Sequence, residues 1–246
     1  MAPRALAWRT AILAAHRDET PTAATLVLRV PGWSGHLAGQ HVDVRLTAED
    51  GYSTQRSYSL AAPADGELIE LTVQQVAGGE VSPYLTEVLA PGDPVEIRGP
   101  VGGWFTWQPA DTGAVQLVAG GSGIVPLMAM IRARQLAGST APFRLIYSVR
   151  SPGQVYYPAE LGSLAARHDG LDISFAYTRA VPDGWPVPPH RLDAATISPA
   201  VWPAELAPAC FACGPTAFVE TVADILVSLG HHPGRVKTER FGPTGG

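Results

Sequence analysis

The stretch 115–126, VQLVAGGSGIVP, joins a mostly apolar run to a glycine-rich turn and then to a second apolar segment. Residues 115–119 are predicted to form a short buried strand, and residues 127–136 a helix that Gly138 ends. A strand, a glycine turn and a helix in succession are the repeating unit of a parallel sheet covered by helices. The stretch therefore predicts an α/β fold for the second half of the chain.

The same alternation of strands and helices continues to the end of the sequence. Further strands are predicted at 143–149, 171–178, 210–213 and 236–241, and further helices at 159–167 and 216–229. Residues 108–113, QPADTG, have the composition of a linker. We therefore predict a doubly wound parallel-sheet domain over residues 109–246.

The first half has a different pattern. Short strands are predicted at 8–15, 25–30, 41–46, around 56–59, at 68–76 and at 93–98, and the polar residues 17–21 are predicted to form a turn. One helix is predicted at 84–89, with Ser82 as its N-cap and Pro83 in its first turn. Six short strands separated by glycine and proline turns predict a small antiparallel β-barrel or sandwich over residues 1–108.

Composition and charge exclude several classes of protein. The chain has 246 residues, 46% of them hydrophobic and 16% charged, which is typical of a globular protein. Its net charge of -5 and the lack of a basic block argue against a nucleic-acid or anionic-membrane binder. No apolar run approaches the ~20 residues of a membrane span, and residues 1–15 lack the order of a signal peptide. We expect a cytoplasmic protein.

The two cysteines, Cys210 and Cys213, are spaced as C-x-x-C, so a redox-active dithiol or a zinc site is an alternative. Zinc would need a second ligand pair, and the predicted strand 210–213 directs the two thiols to opposite faces. The histidines show no metal-ligand spacing, and the His231–His232 pair is expected in solvent. We expect neither a metal site nor an iron–sulfur cluster in this chain.

Residues 56–59, RSYS, combine three groups that suit one ligand. Arg56 offers a bidentate fork for a phosphate, Tyr58 an aromatic plane and Ser59 a small donor. The alternative is cross-strand packing beside a solvated cation. The glycines that precede Ser82 give a helix start that can receive an anion, and an ordinary helix cap is the alternative there.

Ligands of doubly wound sheets bind at the carboxyl ends of the strands, where the glycines of 120–123 and of 214–215 are predicted. A strict G-x-G-x-x-G is absent, because Pro126 stands where the third glycine would fall. Arg150 and Arg179 follow two strand ends and would favour a 2′-phosphate, and hence NADPH over NADH. The alternative is that Arg150 and Arg179 are solvated surface charges.

Five motifs occur in a fixed order: Arg56-Ser57-Tyr58-Ser59, Gly79-Glu80-Val81-Ser82, 120–126, Cys213-Gly214-Pro215 and Glu239-Arg240-Phe241-Gly242. Together they resemble the ferredoxin–NADP reductase family over nearly the whole chain. The family pairs an antiparallel flavin-binding barrel with an α/β nicotinamide domain. One departure is Val125, which stands where the family often has threonine.

The resemblance implies a role for each matching residue. Arg56 would hold a flavin phosphate, Tyr58 would pack on the flavin ring and Ser59 would bond near its N5 atom. Cys213 would lie beside the nicotinamide, and Glu239 would approach the flavin. The implied catalytic residues are thus Ser59, Cys213 and Glu239. The implied cofactor-binding residues are Arg56, Ser57, Tyr58, Ser59, Val73, Gly79, Glu80, Val81, Ser82, Gly121, Ser122, Gly123, Pro126, Arg150, Arg179, Gly214, Pro215 and Phe241.

The implied activity is hydride transfer from NADPH or NADH to bound FAD, followed by electron transfer to an acceptor such as a ferredoxin or a partner oxygenase. No side chain need act as a strong acid or base, because the cofactors carry the chemistry. The alternative is an electron-transfer subunit or flavin-binding module without independent turnover. Since the sequence ends at Gly246, the iron–sulfur domain of some relatives is expected to be absent. The choice between FAD and FMN stays open at this point.

Overall fold

The computed structural model describes residues 6–242. Residues 1–5 of the N-terminal stretch and the last four residues of the predicted second domain, 243–246, lie outside the described part. The chain divides into two compact units. Among the described residues, the first contains 6–107 together with 128–133, and the second contains 108–127 and 134–242.

The first unit is a six-stranded antiparallel sheet. Its strands are β1 (Arg9–Thr20), β2 (Ala23–Arg29), β3 (His41–Thr47), β4 (Ser53–Ser59), β5 (Leu68–Gln74) and β6 (Pro94–Val101). They are ordered β4-β3-β6-β1-β2-β5. A further bridge between Leu60 and Leu71 joins the end of β4 to β5, the two edge strands. The predicted barrel is confirmed.

The barrel forms because apolar residues alternate with polar ones along its strands. In β3, Val42 and Val44 are fully buried. Asp43 and Arg45 alternate with them and lie half-buried on the other face of the strand. Val42 pairs with Tyr58 and Val44 with Arg56. Directly opposite residues of an antiparallel pair share a face, so the two ligand candidates of β4 lie on the core-facing side of this edge strand.

Strand β1 is longer than predicted, and the predicted turn at 17–21 is wrong. Arg17 pairs with Thr25, and the strand continues to Thr20 before the chain turns at Pro21–Thr22. The register shifts between Leu13 and Ala15 and again between Asp18 and Thr20. Backbone pairing with β2 holds this polar segment extended, which side-chain pattern alone does not reveal.

The helix of the first unit also starts differently from the prediction. Helix α1 (Val81–Pro83) is followed by a π-helical turn over Tyr84–Val88, and Glu80 occupies the N-cap position. Ser82 lies inside the helix, and its hydroxyl oxygen accepts a hydrogen bond from the Val76 N–H at 3.0 Å. The prediction of Ser82 as N-cap is wrong because this partner, six residues earlier in the sequence, engages the hydroxyl.

The second unit is a five-stranded parallel sheet with helices, as predicted. Its strands are β7 (Val115–Gly120), β8 (Phe143–Val149), β9 (Leu171–Tyr177), β10 (Ala209–Pro215) and β11 (Val236–Phe241). The helices that alternate with these strands along the chain are α2 (Ile124–Leu136), α3 (Pro158–Ala165), α4 (Ala194–Ile197) and α5 (Thr216–Ser228), and residues 128–133 of α2 are grouped with the first unit. A 3₁₀ turn over Gly121–Gly123 precedes α2, which begins three residues before the predicted start.

The order of the second sheet is β11-β10-β7-β8-β9. The chain leaves β7 toward β8 and β9 on one side and later returns to β10 and β11 on the other. Strand β7 is therefore the point at which the strand order reverses, and ligands of such sheets bind at that point. The sheet is held by apolar packing, in which Val222 and Leu226 of α5 contact the cluster that contains Val118 and Ala212. Within residues 6–242, no helix has the length and apolarity needed to cross a membrane.

Candidate functional site

Arg56 lies exposed on β4 with hydrogen-bond donors to spare. Its Nη1 atom donates to the Gln55 carbonyl oxygen at 2.7 Å and lies 3.5 Å from Thr54 Oγ1. No carboxylate between residues 6 and 242 forms an ion pair with it. The guanidinium group is therefore available for an anion such as a phosphate.

Tyr58 follows Arg56 on the same face of β4 and packs partly buried against the barrel core. Burial raises the pKa of the Tyr58 phenol to about 12, although the nearby Arg56 charge acts in the opposite direction. The phenol is thus neutral at physiological pH, and its ring presents an uncharged plane. Ser59 ends the strand and is only 5% exposed.

Ser57 points to the other face of β4. Its hydroxyl donates to Asp43 Oδ1 at 2.7 Å, so it bonds to a side chain on the outer, polar face of β3. A cofactor that contacts Arg56 and Tyr58 meets the opposite face of the strand. The structure therefore separates Ser57 from the other members of the motif.

The helix start over Gly79–Ser82 brings together four of the predicted residues. Val81 and Ser82 are buried, and Glu80 is exposed and accepts a hydrogen bond from the Tyr52 hydroxyl at 3.1 Å. Like Val81, which is 2% exposed, Val73 is buried in the barrel core. Its side chain is an interior packing residue with no surface for a ligand.

A cavity of about 600 Å³ lies in the first unit, with the ion-paired Arg45 and Glu96 among its lining residues. Thr54, which contacts the Arg56 guanidinium group, is among its lining residues. Tyr52 and Glu80, joined by their hydrogen bond, line it as well, together with Tyr84. The cavity has the size of a nucleoside site and offers aromatic, hydroxyl and carboxylate groups.

In the second unit, the predicted residues share one edge of the sheet. Parallel strands end at the same edge, and the strand order places β10 and β11 on one side of β7 and β8 and β9 on the other. Along this edge the order is Phe241, Pro215, Gly121, Arg150 and Arg179. Neighbouring strands lie ~4.8 Å apart, so the row from β10 to β9 extends roughly 14 Å. An elongated ligand with a phosphate group in its middle suits this arrangement.

The glycines at this edge have two different roles. A Cβ atom at Gly123 would lie 2.0 Å from the Cys213 carbonyl oxygen, and one at Gly120 would lie 2.7 Å from the Phe218 ring. These two glycines allow close packing within the protein. Gly121 instead has a φ of +54° and open space where a side chain would project. It is the glycine at which a ligand can approach the backbone.

Cys213 and Glu239 are register partners on the adjacent strands β10 and β11. Cys213 is fully buried, and both burial and the Glu239 charge raise the pKa of its thiol well above the ordinary value. The thiol is therefore protonated and is suited to packing and positioning. A role as thiolate nucleophile would require the opposite shift.

Cys210 and Cys213 are free and buried, which does not support a dithiol site. Burial raises the pKa of Cys210 to about 12, with a smaller opposing effect from Arg235. His231 is buried, and its Nδ1 atom lies 3.8 Å from the Cys210 sulfur. The expectation that His231 lies in solvent is wrong, because the chain folds back after α5. His232 is exposed as expected.

Arg150 and Arg179 are brought together by backbone hydrogen bonds. The Arg150 carbonyl oxygen accepts bonds from the N–H groups of Arg179 at 2.9 Å and Ala180 at 3.0 Å. Both side chains are exposed, and neither is ion-paired with another residue in the described part of the chain. Two free guanidinium groups at adjacent strand ends can receive a dianionic phosphate.

Sequence reasoning missed Asp43, Tyr52, Thr54 and Phe218. The polar position between two valines in β3 indicates that Asp43 faces outward, but its pairing with Ser57 depends on the length of the intervening loop. Tyr52 and Thr54 precede Arg56 by four and two residues, which is the spacing of one strand face. Their proximity to Glu80 has no sequence signal.

Two family descriptions match the chain. Residues 11–106 match the oxidoreductase FAD-binding domain, and residues 117–224 match the oxidoreductase NAD-binding domain. These matches lie within the parts of the chain that form the barrel and the parallel sheet, respectively.

Among the curated relatives is the ferredoxin–NAD(P)(+) reductase component of naphthalene 1,2-dioxygenase/salicylate 5-hydroxylase systems of a Ralstonia species. It is 32% identical over 84% of this chain and 61% of its own length. An NADPH oxidoreductase of Mycobacterium tuberculosis is 32% identical over 92% of this chain and 58% of its own length. The chain thus spans about three fifths of the length of these relatives.

Among solved structures, an Amycolatopsis cytochrome P450 reductase superposes with a TM-score of 0.83 at 26% identity. The superposition covers 99% of this chain and 72% of that one. The two matched domains follow one another along the chain in the same order as the barrel and the parallel sheet. The chain belongs to the ferredoxin–NADP reductase family, and combines an FAD-binding β-barrel with an NAD(P)-binding α/β domain.

Proposed function

We propose that this chain is an NAD(P)H-dependent flavoprotein reductase that passes electrons through bound FAD to a separate acceptor protein. The observation that carries the proposal is the presence in one chain of two complementary sites. The edge strand β4 presents Arg56 and Tyr58, and the switch point of the parallel sheet presents a glycine turn flanked by arginines. Neither site alone distinguishes a reductase from a simple nucleotide binder.

The residues of the barrel fit FAD. Arg56 has free donors for a phosphate, and Tyr58 offers a neutral aromatic plane on the same face. The cavity lined by Tyr52, Thr54 and Glu80 adds room for an adenosine group beside the phosphate. FMN would leave this cavity unused, so the cavity favours FAD over FMN.

The residues of the sheet fit a nicotinamide dinucleotide with a 2′-phosphate. Gly121 at the end of β7 would admit the pyrophosphate, and the start of α2 would provide N–H groups and a positive dipole end. Arg150 and Arg179 lie on one side of this turn, and Cys213 lies on the other. We therefore assign the adenosine end to the arginines and the nicotinamide end to Cys213, with NADPH preferred over NADH.

Bound FAD would supply the redox chemistry by accepting a hydride from the nicotinamide and releasing electrons to the acceptor. The protein would bind and orient the two groups. Arg56 would anchor the phosphate of FAD, and Tyr58 would fix the plane of the ring. Ser59 would offer a hydroxyl at the end of β4, and the protonated, buried Cys213 would limit the access of water beside the nicotinamide. Glu239 and Phe241 would line the neighbouring strand end.

A protein acceptor, such as a ferredoxin or an oxygenase component, is proposed by analogy with the relatives. The Ralstonia relative is described as a reductase component of dioxygenase and hydroxylase systems. Two free cysteines are consistent with the cytoplasmic location proposed from the sequence.

An anaerobic titration of the purified chain tests the proposal. We expect the isolated protein to carry FAD, and NADPH to bleach the flavin absorbance faster than NADH. Protein that is colourless and stays free of flavin after incubation with FAD and FMN would refute the proposal. Equal rates with the two nucleotides would refute only the 2′-phosphate assignment.

Turnover with a soluble dye separates an independent reductase from a subunit that needs another chain. We expect continuous dye reduction by the isolated protein with NADPH. Flavin that NADPH reduces but that fails to pass electrons to any soluble dye would instead favour the electron-transfer subunit. A flavin that NADPH does not reduce would favour a binding module.

A further inference from the structure

We propose that Asp43 is a positioning residue for the flavin site, and that it acts by holding Ser57 and thereby the orientation of strand β4. This inference rests on the proposed flavin function of the barrel. Ser57 lies between Arg56 and Tyr58 in sequence, and its hydroxyl donates to Asp43 Oδ1 at 2.7 Å. The cofactor-facing residues and the positioning contact thus occupy opposite faces of one strand.

Asp43 links three strands of the sheet. Its Oδ1 atom accepts from Ser57 on β4, and its Oδ2 atom accepts from Arg98 Nη2 on β6 at 2.7 Å and from Arg98 Nε at 3.2 Å. Only 14% of the Asp43 side chain is exposed, against 33% for Arg98. A half-buried carboxylate with several charge-assisted hydrogen bonds has a fixed position.

Arg98 is itself held in place by an aromatic ring. The guanidinium carbon of Arg98 lies 4.8 Å from the centre of the Trp8 ring, and that of Arg45 lies 4.2 Å from the same ring. The result is a layer on the outer face of the barrel that ends at Ser57. Burial raises the pKa of Asp43, and the hydrogen bonds from Ser57 and Arg98 outweigh it, so the net pKa lies below the ordinary value.

This anchoring matters because β4 is an edge strand. In the sheet it is hydrogen-bonded along its length to β3, and within residues 6–242 an isolated bridge between Leu60 and Leu71 follows its end. An edge strand is free to twist or shift on its open side. A small rotation of β4 would move the Arg56 and Tyr58 side chains in the direction opposite to Ser57. The Asp43 contact restrains that rotation from the face of β4 opposite to Arg56 and Tyr58.

Two substitutions interrupt the link between Asp43 and β4. Asp43→Asn neutralises the carboxylate that joins Ser57 to Arg98. Ser57→Val removes the hydroxyl that donates to this carboxylate.

The decisive test compares Ser57→Val with Ser57→Thr. Both replacements are β-branched and similar in size, and only threonine keeps the hydroxyl. The full-length, flavin-loaded variants would be diluted serially, and the dissociation constant for FAD would be read from the fluorescence of released flavin. The visible circular dichroism of the bound flavin, which reports the setting of the ring, would be recorded as well.

We expect Ser57→Val and Asp43→Asn to weaken FAD binding at least about tenfold and to change the circular dichroism of the flavin. Ser57→Thr should retain the wild-type spectrum and bind FAD with a dissociation constant within about threefold of the wild-type value. Equal FAD affinity and an equal spectrum in Ser57→Val and Ser57→Thr would overturn the inference. If Asp43→Asn fails to fold, the two Ser57 variants decide. Wild-type protein that binds no FAD would refute the proposed function itself, which is a distinct result.

Discussion

The barrel and the parallel sheet present their ligand-facing groups in different ways. On β4 the candidate groups are side chains, the Arg56 guanidinium group and the Tyr58 ring, and they project from a regular strand. At the end of β7 the candidate group is the backbone of Gly121, with Gly120 and Gly123 packed against other parts of the same domain. The first site depends on the orientation of strand β4. The second depends on the close approach of the turn after β7 to strand β10.

This difference predicts different consequences of mutation. A side-chain site loses affinity when a side chain is removed, and the fold survives because the strand is held by backbone hydrogen bonds. A backbone site tolerates no added side chain where another element packs against the glycine. A substitution in either site can therefore be compared with a control substitution that leaves the proposed contact intact.

The largest effect is expected for Gly123→Ala. The added Cβ atom would lie 2.0 Å from the Cys213 carbonyl oxygen, so β7, α2 or β10 must move. We expect the free energy of unfolding of the NAD(P)-binding domain to fall by about 3 kcal/mol, together with loss of NADPH binding. Urea denaturation and nucleotide titration measure the two effects.

Gly121→Ala is the control for that substitution. Its Cβ atom would meet open space, and the only cost is the left-handed backbone at φ +54°, about 1 kcal/mol. Wild-type stability in Gly123→Ala would show that the two strand ends are not held as closely as the structure indicates.

The next effect concerns the barrel. We expect Arg56→Ala to weaken FAD binding by roughly 10- to 100-fold, because charge-assisted hydrogen bonds to a phosphate are lost. Arg56→Lys should recover part of the affinity, since lysine keeps the charge without the bidentate fork. Arg29→Ala, at an exposed end of β2, controls for the loss of one positive charge. FAD release on dilution gives the dissociation constants, and an unchanged value in Arg56→Ala would exclude the phosphate role.

The sequence predicted both folds because each has a strong periodic signal. The alternation of Val42, Asp43 and Val44 identifies a barrel strand with one buried face, and the bounds of β8 and β11 agree with those predicted. The glycine turn at 120–123 identified the edge of the parallel sheet at which the strand order reverses. These features depend on neighbouring residues, so they are visible in one sequence.

The features that sequence reasoning missed depend on partners far along the chain. Ser82 has the residue type of a helix cap, but its hydroxyl accepts from the Val76 N–H instead. Ser57 lies in the motif predicted to bind the cofactor, but its hydroxyl donates to Asp43, fourteen positions earlier, on the face opposite to Arg56. Local pattern identifies the residue type a position needs, whereas tertiary pairing decides which partner it contacts.

The third prediction sharpens the assignment of the two ends of the dinucleotide. Arg150→Ala and Arg179→Ala should each lower kcat/KM for NADPH about tenfold, the effect of one charge-assisted contact to phosphate. The value for NADH should stay within about twofold, because NADH lacks the 2′-phosphate.

Arg191→Ala is the matched control, since Arg191 is also an exposed arginine of this domain but lies outside the strand ends. Flavin reduction in stopped flow gives the rates with both nucleotides. A parallel loss with NADPH and NADH would show that the arginines bind a group common to both, and would place the 2′-phosphate elsewhere.

The smallest effect compares one tyrosine in each domain. Burial raises the pKa of Tyr58 to about 12, against an ordinary value of 10.0, and burial also raises the pKa of Tyr177. Above pH 10 the unfolded chain loses phenolic protons that the folded chain still holds, so the free energy of unfolding falls as pH rises from 10 through 12. Below pH 10 this contribution is fully present. Between pH 9 and pH 11 the free energy of unfolding should decrease less in Tyr58→Phe than in the wild type, by about 1 kcal/mol at most. Tyr177→Phe, which removes the other phenol with a raised pKa, is the comparison. Urea denaturation at both pH values measures the difference. If the free energy of unfolding of Tyr58→Phe fell as much between pH 9 and pH 11 as that of the wild type, the Tyr58 phenol would ionise as easily in the folded as in the unfolded chain. The Tyr58 ring would then not be packed against the barrel core as the structure shows.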